Sequence, residues 1–310
     1  MYNVFYINDT ELKYITINKN NILNELVSDM KDRELNILDI SRYYTISTLI
    51  TKKKSLILKL DSIRAIIKST EVYIFEENDG NAKKFSEYLL NIILNNSNSN
   101  ETTFELKVLD TMFLYICKLF ENKLKKIIPQ VLEIIGIRFE ILNINKVNIN
   151  SLANIQNDLI KFKIKVDDIY KVLLELISSD EDMININLSR KNNDISNHHD
   201  VEILLENYED YLKEILNEIN GILKEIEIYQ SSVSLKLADN RNKLAVLSIK
   251  IGLFSISLSF GSIITGIFGM NLKSKLENSN NAFIITILII IFLIVIIGYL
   301  LNNYWLQLVH

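Results

Sequence analysis

Charged and apolar residues are unevenly spread along the chain, and the charge-free stretches lie near its C-terminus. Residues 282–301, AFIITILIIIFLIVIIGYLL, contain no charged side chain. A helix that rises about 1.5 Å per residue covers roughly 30 Å over this length, the thickness of a bilayer core. A second apolar stretch, residues 244–268, is uncharged from Ile251 onward. We therefore predict two transmembrane helices, 244–268 and 282–301, followed by a short tail at 302–310.

Only residues 269–281 separate the two predicted spans. Because this connector is short, the spans form an antiparallel hairpin, and both ends of the protein lie on the same side of the membrane. The basic residues directly before the first span are Lys236, Arg241, Lys243 and Lys250; the connector has Lys273, Lys275 and Glu277. This modest bias favours the cytoplasm-equivalent side for the large N-terminal part.

One face of the first predicted span is small or hydroxylated along its whole length. Read at spacings of four and three positions, this stripe consists of Ala245, Ser248, Gly252, Ser255, Ser259, Ser262, Gly266 and Gly269. Small residues at such spacing favour close helix–helix packing, and a polar stripe of this length also suits a water-lined pore. The extent of the stripe, and the asparagine that follows it at position 271, favour the pore.

The remainder of the chain alternates between strand-like and helix-like patterns, and 48% hydrophobic residues overall is the level of a soluble protein. Residues 14–17, 55–60 and 72–75 predict strands, with a short helix at 63–68. Residues 103–135 and 152–178 have helical periodicity. We expect an α/β part at 1–100 and a helical part at 101–243, which makes the soluble N-terminal region α+β.

Residues 201–237 carry an apolar seam at heptad-like spacing. Its members are Tyr208, Leu212, Ile215, Ile219, Ile222, Ile226, Tyr229, Val233 and Leu237. No proline separates this seam from the first span, so we predict one helix of about 65 residues that continues into the membrane. The alternative is a pair of helices broken near residues 230–234.

Several motifs resemble the eukaryotic, mitochondrial-type branch of the CorA magnesium-transporter superfamily. The most specific is Gly269-Met270-Asn271, directly after the first of two C-terminal spans. Further similar segments are IRAII at 63–67 with VYIF at 72–75, TFELKVLD at 103–110, SSDEDM at 178–183 and LADNRNKL at 237–244. The resemblance extends over residues 38–301.

The resemblance implies a homopentamer in a lipid bilayer, with the first span of each subunit around a central Mg²⁺ pore. Asn271 would place a ring of amide oxygens at the entrance, Gly269 would allow close backbone approach, and Met270 would fix the loop. The resemblance also implies closure by divalent ions bound to the soluble part. It suggests a mitochondrial inner membrane, although the N-terminus has neither signal-peptide nor presequence features, so we expect no such segment.

The sequence departs from the family pattern just before the first span. Ala238 stands where the family has an acid, and Asp239 follows one residue later, about 100° further round the helix. We therefore expect Arg241 to project toward the pore axis, while Asp239 lies off it. An ion pair between Arg241 and Asp239, or between Arg241 and a neighbouring subunit's acid, is the alternative role for the arginine.

Other candidate sites have an ordinary structural alternative. Clustered carboxylates at Asp180, Glu181 and Asp182, joined by Asp239, suit a regulatory divalent ion, whereas the first three also suit capping of a helix end. His198, His199 and Asp200 could hold a transition metal; the alternative is that they are part of a polar linker. The single cysteine, Cys117, lies in an apolar periodic segment and predicts a packed thiol.

The sequence carries no motif for a nucleophile, a phosphate loop or a histidine–carboxylate pair, so we predict a non-enzyme. A net charge of -4 argues against nucleic-acid binding, and no small-molecule substrate beyond the ion is implied. Two alternatives to a magnesium channel stay open. One is a transporter of Co²⁺, Ni²⁺ or Zn²⁺, and the other is a membrane-anchored coiled-coil scaffold.

Overall fold

The computed structural model describes residues 2–18, 46–76, 80–95, 103–139, 149–189, 199–270 and 281–309. The chain divides into two compact units, Met1–Ile228 and Tyr229–His310. The first holds a β-sheet and helices, and the second holds the C-terminal part of one long helix together with a final helix.

An antiparallel sheet of six strands occupies the N-terminal part of the described chain. The strands are β1 (Tyr2–Asn8), β2 (Leu12–Ile17), β3 (Thr48–Lys52), β4 (Ser55–Leu60), β5 (Ile63–Ile67) and β6 (Glu71–Phe75). They lie in the order β2-β1-β6-β5-β4-β3. The predicted strands correspond to β2, β4 and β6, whereas β1 and β3 were not predicted.

The predicted short helix at 63–68 is wrong, because this segment forms β5. It lies between β4 and β6, with Ala65 opposite both Leu58 and Ile74. All five of its residues are buried, so its apolar run shows no alternation between a wet and a dry face. A short apolar run of this kind cannot be assigned to helix or strand from periodicity alone, and pairing on both edges decides it.

The central strands β4, β5 and β6 are buried on both faces of the sheet. One face carries the cluster Val4, Ile57, Ile66, Tyr73 and Phe75. Neighbouring positions on the other face are also inaccessible, and the first two helices of the chain contact the sheet. Burial on both faces explains why apolar residues make up most of β4 and β5.

Six helices follow the sheet in the described residues. They are α1 (Asn81–Asn95), α2 (Phe104–Phe139), α3 (Ile149–Ile177), α4 (Asp180–Ile186), α5 (His199–Gly269) and α6 (Ala282–Val309). The helices predicted at 103–135 and 152–178 are α2 and α3, and α1 was not predicted. Helix α6 continues through 302–309, which we expected to be a tail.

Helix α5 runs unbroken for 71 residues. The predicted continuous helix is therefore confirmed, and the alternative break near residues 230–234 is absent from it. The seam from Leu212 to Val233 is buried at each of its positions, whereas Leu237 is 40% exposed. The buried seam thus ends at Val233, about ten residues before the apolar span begins.

Aromatic contacts join α2 to the helices beside it in the first unit. Phe113 stacks on Tyr208 of α5 with ring centroids 5.4 Å apart, and Phe120 meets Phe162 of α3 edge-on at the same distance. Cys117 of α2 is buried, as predicted. Burial raises the pKa of its thiol to about 12. The thiol therefore stays protonated, and unreactive, at neutral pH.

Replacing a buried residue of α3 should cost far more stability than the same replacement on its exposed face. Ile169 is fully buried and Ile164 is 55% exposed. We expect Ile169→Ala to lower the free energy of unfolding by about 2–5 kcal/mol, because it leaves a cavity, and Ile164→Ala by about 0.5 kcal/mol or less. Urea titration of the full chain in detergent, followed by circular dichroism, measures both; equal losses would contradict this packing.

Candidate functional site

The candidate site is the apolar hairpin at the C-terminal end of the described chain. Two helices there, α5 and α6, are long and apolar enough to cross a membrane. Most side chains of their apolar segments are exposed in the single chain, including Phe254, Ile263 and Phe292. Exposing this much apolar surface to water is energetically unfavourable, so these segments suit a lipid environment or contact with further copies of the chain.

Helix α6 packs on one particular face of α5, where small residues permit close approach. Ser257 is only 1% exposed, and a Cβ atom on Gly298 of α6 would lie 3.6 Å from its Oγ. A Cβ atom on Gly261 would lie 2.9 Å from Cδ1 of Ile294 and 3.3 Å from Cγ2 of Ile290. Small residues four positions apart therefore form the seam of the hairpin.

Sequence analysis missed this seam, although a signal for it exists. Ser257 and Gly261 are spaced four residues apart, the arrangement that brings two helices into close contact. Gly298 supplies a matching small residue on α6. The longer stripe of serines and glycines lies on a different face of α5, and it is the more conspicuous pattern in the sequence.

The predicted stripe lies on the side of α5 away from α6. Since each residue turns the helix by about 100°, Ser259 lies about 200° from Ser257. Arg241 and every member of the stripe are exposed within the chain; the stripe members are Ala245, Ser248, Gly252, Ser255, Ser259, Ser262, Gly266 and Gly269. Cβ atoms added at Gly252 or Gly266 would meet nothing within 4 Å among the described residues. Packing within the hairpin therefore does not account for the stripe.

Two hydroxyl groups of the stripe, those of Ser259 and Ser262, bond to their own helix. Ser259 Oγ donates to the carbonyl oxygen of Ser255 at 2.9 Å, and Ser262 Oγ donates to that of Leu258 at 3.2 Å. With the hydroxyl hydrogens used in this way, the oxygen lone pairs remain available as acceptors. Such a surface is suited to the water molecules around a hydrated cation.

The charged residues before the span pair differently from the alternative that we considered. Asp239 Oδ2 lies 2.7 Å from Lys243 Nζ, one turn further along α5. Among the described residues no ion pair joins Arg241 to Asp239, and the role of Arg241 in the assembled protein stays a prediction. By helical spacing Arg241 falls on the stripe, whereas Asp239 falls on the side of Ser257.

The glycine and methionine of the Gly-Met-Asn motif end α5. Gly269 is the last helical residue, and the Met270 amide donates to the carbonyl oxygen of Ile267 at 3.3 Å. Met270 is 58% exposed. Asn271 and the rest of the connector to residue 280 lie outside the described residues.

The acidic segment 180–182 begins a helix of its own. Ser179 is the N-cap of α4, its Oγ accepting from the Asp182 amide at 3.3 Å, and Asp182 accepts from Thr51 Oγ1 of β3. The segment follows the end of α3 at Ile177 and opens a further helix that the sequence pattern does not predict. The capping role is therefore realised.

No group of three His, Cys, Asp or Glu side chains suited to a metal ion occurs within the described ranges. Asp180, Glu181 and Asp182 thus do not converge as a ligand set in the single chain. His199 Nδ1 lies 3.8 Å from Glu202 Oε2 at the start of α5, and His198 is outside the described residues. The predicted transition-metal site at His198, His199 and Asp200 therefore gains no support from this part of the structure.

Residues 8–241 match the profile of a family described as magnesium transporter MRS2-like. The chain belongs to the MRS2-like family of magnesium transporters. The resemblance to the mitochondrial-type branch of the CorA superfamily is confirmed by this match, which ends before the spans and the Gly-Met-Asn motif.

Two curated relatives show the extent of the similarity. The chain is 27% identical over 255 residues to the mitochondrial magnesium transporter MRS2 of Saccharomyces cerevisiae, covering 81% of this chain and 54% of the relative. It is 26% identical over 264 residues to the mitochondrial inner membrane magnesium transporter mrs2 of Schizosaccharomyces pombe, covering 82% and 62%. The chain thus spans between half and two thirds of the length of these relatives.

Two solved structures show the fold. The full-length CmaX protein superposes with a TM-score of 0.62 at 13% identity, covering 98% of this chain and 97% of that one. The CorA magnesium transporter from Methanocaldococcus jannaschii superposes with a TM-score of 0.50 at 15% identity, covering 96% of each chain. The predicted CorA-like fold is therefore confirmed.

The hairpin packing can be tested with paired cysteines. Ser257→Cys with Gly298→Cys should form an intrachain disulfide on oxidation, because the two positions are in contact. Ser259→Cys with Gly298→Cys is the matched control and should stay reduced, since Ser259 faces away. Cys117 does not compete, because its raised pKa keeps it a thiol at about pH 8. Intact-mass spectrometry of the monomer measures the bond; efficient cross-linking of the control pair would contradict this assignment of faces.

Proposed function

We propose that the protein conducts Mg²⁺ across a membrane through a pore formed by several copies of α5. The observation that carries this proposal is the small, hydroxylated stripe that α6 leaves uncovered. A face of this kind is poorly suited to lipid, where polar groups cost free energy. Copies of the chain arranged with their stripes toward a common axis would enclose a polar channel instead.

The chemistry of the stripe suits a hydrated magnesium ion. Mg²⁺ binds oxygen ligands at about 2.0–2.1 Å in octahedral geometry and loses its water reluctantly. Outward-facing serine oxygens can accept hydrogen bonds from the ion's first-shell waters without replacing them. Asn271, next along the chain after Met270, would contribute a ring of neutral amide oxygens at the pore entrance. A membrane potential would drive the ion, at about 2.3 kcal/mol per charge per 100 mV.

The assembly and location that we propose follow the family. A homopentamer would supply five stripes and five copies of Asn271, and α6 would form the outer, lipid-facing ring. The curated relatives are named as mitochondrial inner membrane transporters, so we propose that membrane as the site of action. Regulation by divalent ions at Asp180, Glu181, Asp182 or Asp239 remains a prediction that rests on the resemblance.

The pore-lining role of the stripe predicts which change blocks transport. Ser259→Leu should lower Mg²⁺ flux by about tenfold or more, because a ring of leucines makes a hydrophobic constriction that excludes water. Ser259→Ala is the matched control. It introduces a side chain of similar size to serine, so the pore keeps its diameter and should retain most of the flux. Mg²⁺ uptake into liposomes containing the purified protein measures both, with size-exclusion chromatography to confirm assembly. If Ser259→Leu conducted Mg²⁺ as fast as the wild type, the stripe would not line the pore.

The amide ring predicts a separate effect at the entrance. Asn271→Ala should abolish Mg²⁺ uptake while the oligomer stays intact, because the ion's waters lose their acceptors. The same liposomes loaded with Zn²⁺, Co²⁺ or Na⁺ in place of Mg²⁺ distinguish a magnesium channel from a channel for other cations. Undiminished Mg²⁺ flux in Asn271→Ala would contradict the role of this residue, and absence of any conductance in the wild type would favour the coiled-coil scaffold.

A further inference from the structure

A basic cleft lies between α2 and α3, in the unit that precedes the membrane spans. The cavity has a volume of about 330 Å³ and is open to the surface. Helix α2 contributes Lys123, Ile127 and Gln130 to its lining, and α3 contributes Asp158, Lys161 and Lys165. On each helix these residues recur at spacings of three and four, so they form one face of each.

The three lysines of the cleft are held in different ways. Lys165 Nζ lies 2.6 Å from Asp61 Oδ1, and Lys161 Nζ lies 3.9 Å from Asp158 Oδ1. Lys123 Nζ lies over the ring of Phe162, 4.7 Å from its centroid. Lys123 forms no ion pair with a carboxylate among the described residues.

Positive charge therefore exceeds negative charge in the cleft. Among the residues that the structure describes, three ammonium groups face two carboxylates, those of Asp61 and Asp158. Partial desolvation lowers the pKa of Lys123, and the neighbouring charge of Lys165 lowers it further, while Asp61 and Asp158 act in the opposite direction. A bound anion would supply the missing negative charge, which would stabilise the protonated form of Lys123 and raise its pKa.

Two of the three cationic groups, those of Lys123 and Lys165, are positioned before any ligand arrives. Phe162, which carries Lys123 on its face, is fully buried and packs edge-on against Phe120. Asp61, which holds Lys165, lies in the turn between β4 and β5 with φ of 50°, a conformation that non-glycine residues adopt rarely. Groups held in place in this way lose less entropy when they bind a ligand.

We propose that this cleft binds a phosphoryl oxyanion, either inorganic phosphate or the terminal phosphate of a nucleotide. A phosphoryl group carries more than one negative charge and several acceptor oxygens, which matches Lys123, Lys161 and Lys165 acting together. The amide of Gln130 can donate a further hydrogen bond at the same wall. This site is separate from the transmembrane hairpin and does not depend on the proposed transport activity.

The experiment is isothermal titration calorimetry on the full chain in detergent at about 0.15 M salt, where long-range charge effects are screened. Inorganic phosphate and ATP are titrated separately, so that the tighter ligand identifies the source of the phosphoryl group. Lys123→Gln should weaken binding about tenfold or more, through the loss of one charge-assisted hydrogen bond. Lys161→Gln should weaken it as well.

The matched control is Lys126→Gln, which removes one positive charge from α2 at a position outside the cleft lining. It should bind phosphate or ATP as the wild type does. Two results would overturn the proposal: no saturable binding of either ligand by the wild type at millimolar concentration, or equal weakening by Lys126→Gln and Lys123→Gln. The second result would mean that the helix surface attracts anions without a defined site.

Discussion

The membrane half of α5 has two different small-residue faces, and α6 can cover only one of them. Close packing selects the face of Ser257 and Gly261, where Ile290 and Ile294 fit against a helix surface without bulky side chains. Within a membrane such packing, rather than any hydrophobic driving force, holds two helices together. Because that contact is made on one side, the opposite side is left with hydroxyls and glycines that no described residue of the hairpin covers. The proposed pore depends on this division of the helix.

A single helix carries both the stripe and the seam of the preceding unit. In that unit, tyrosine hydroxyls tie its N-terminal half to the neighbouring helices: Tyr208 donates to Asp110 of α2, Tyr211 to Glu121 of α2, and Tyr170 of α3 to Glu209 of α5. Burial raises the pKa of Tyr211 to about 12, so its hydroxyl keeps its proton and its bond at physiological pH. An unbroken helix of 71 residues then passes from these contacts to the span without a hinge at proline.

The sequence predicts those features that arise from local pattern. An absence of charge over a bilayer's thickness is sufficient to find both spans, and an uninterrupted helical pattern without proline is sufficient to predict the length of α5. The assignment of 63–67 failed because burial on both faces removes the periodicity that separates a strand from a helix. The choice of Ser257 over Ser259 as the packing position depends on Ile294 and Gly298, which lie more than thirty residues away in sequence. The basic cleft likewise requires α2, α3 and the turn at Asp61 to meet, and no short stretch encodes that meeting.

Solvent accessibility of α5 in the assembled protein tests the central claim most directly. Single cysteines at Ser255 and Ser259 lie on the stripe, and cysteines at Phe254 and Leu258 lie off it; all four positions are exposed in the single chain. The account predicts that a charged, membrane-impermeant thiol reagent modifies Ser255→Cys and Ser259→Cys in proteoliposomes far faster than Phe254→Cys and Leu258→Cys. Equal rates at all four positions, or faster reaction at 254 and 258, would contradict an aqueous axis on this face.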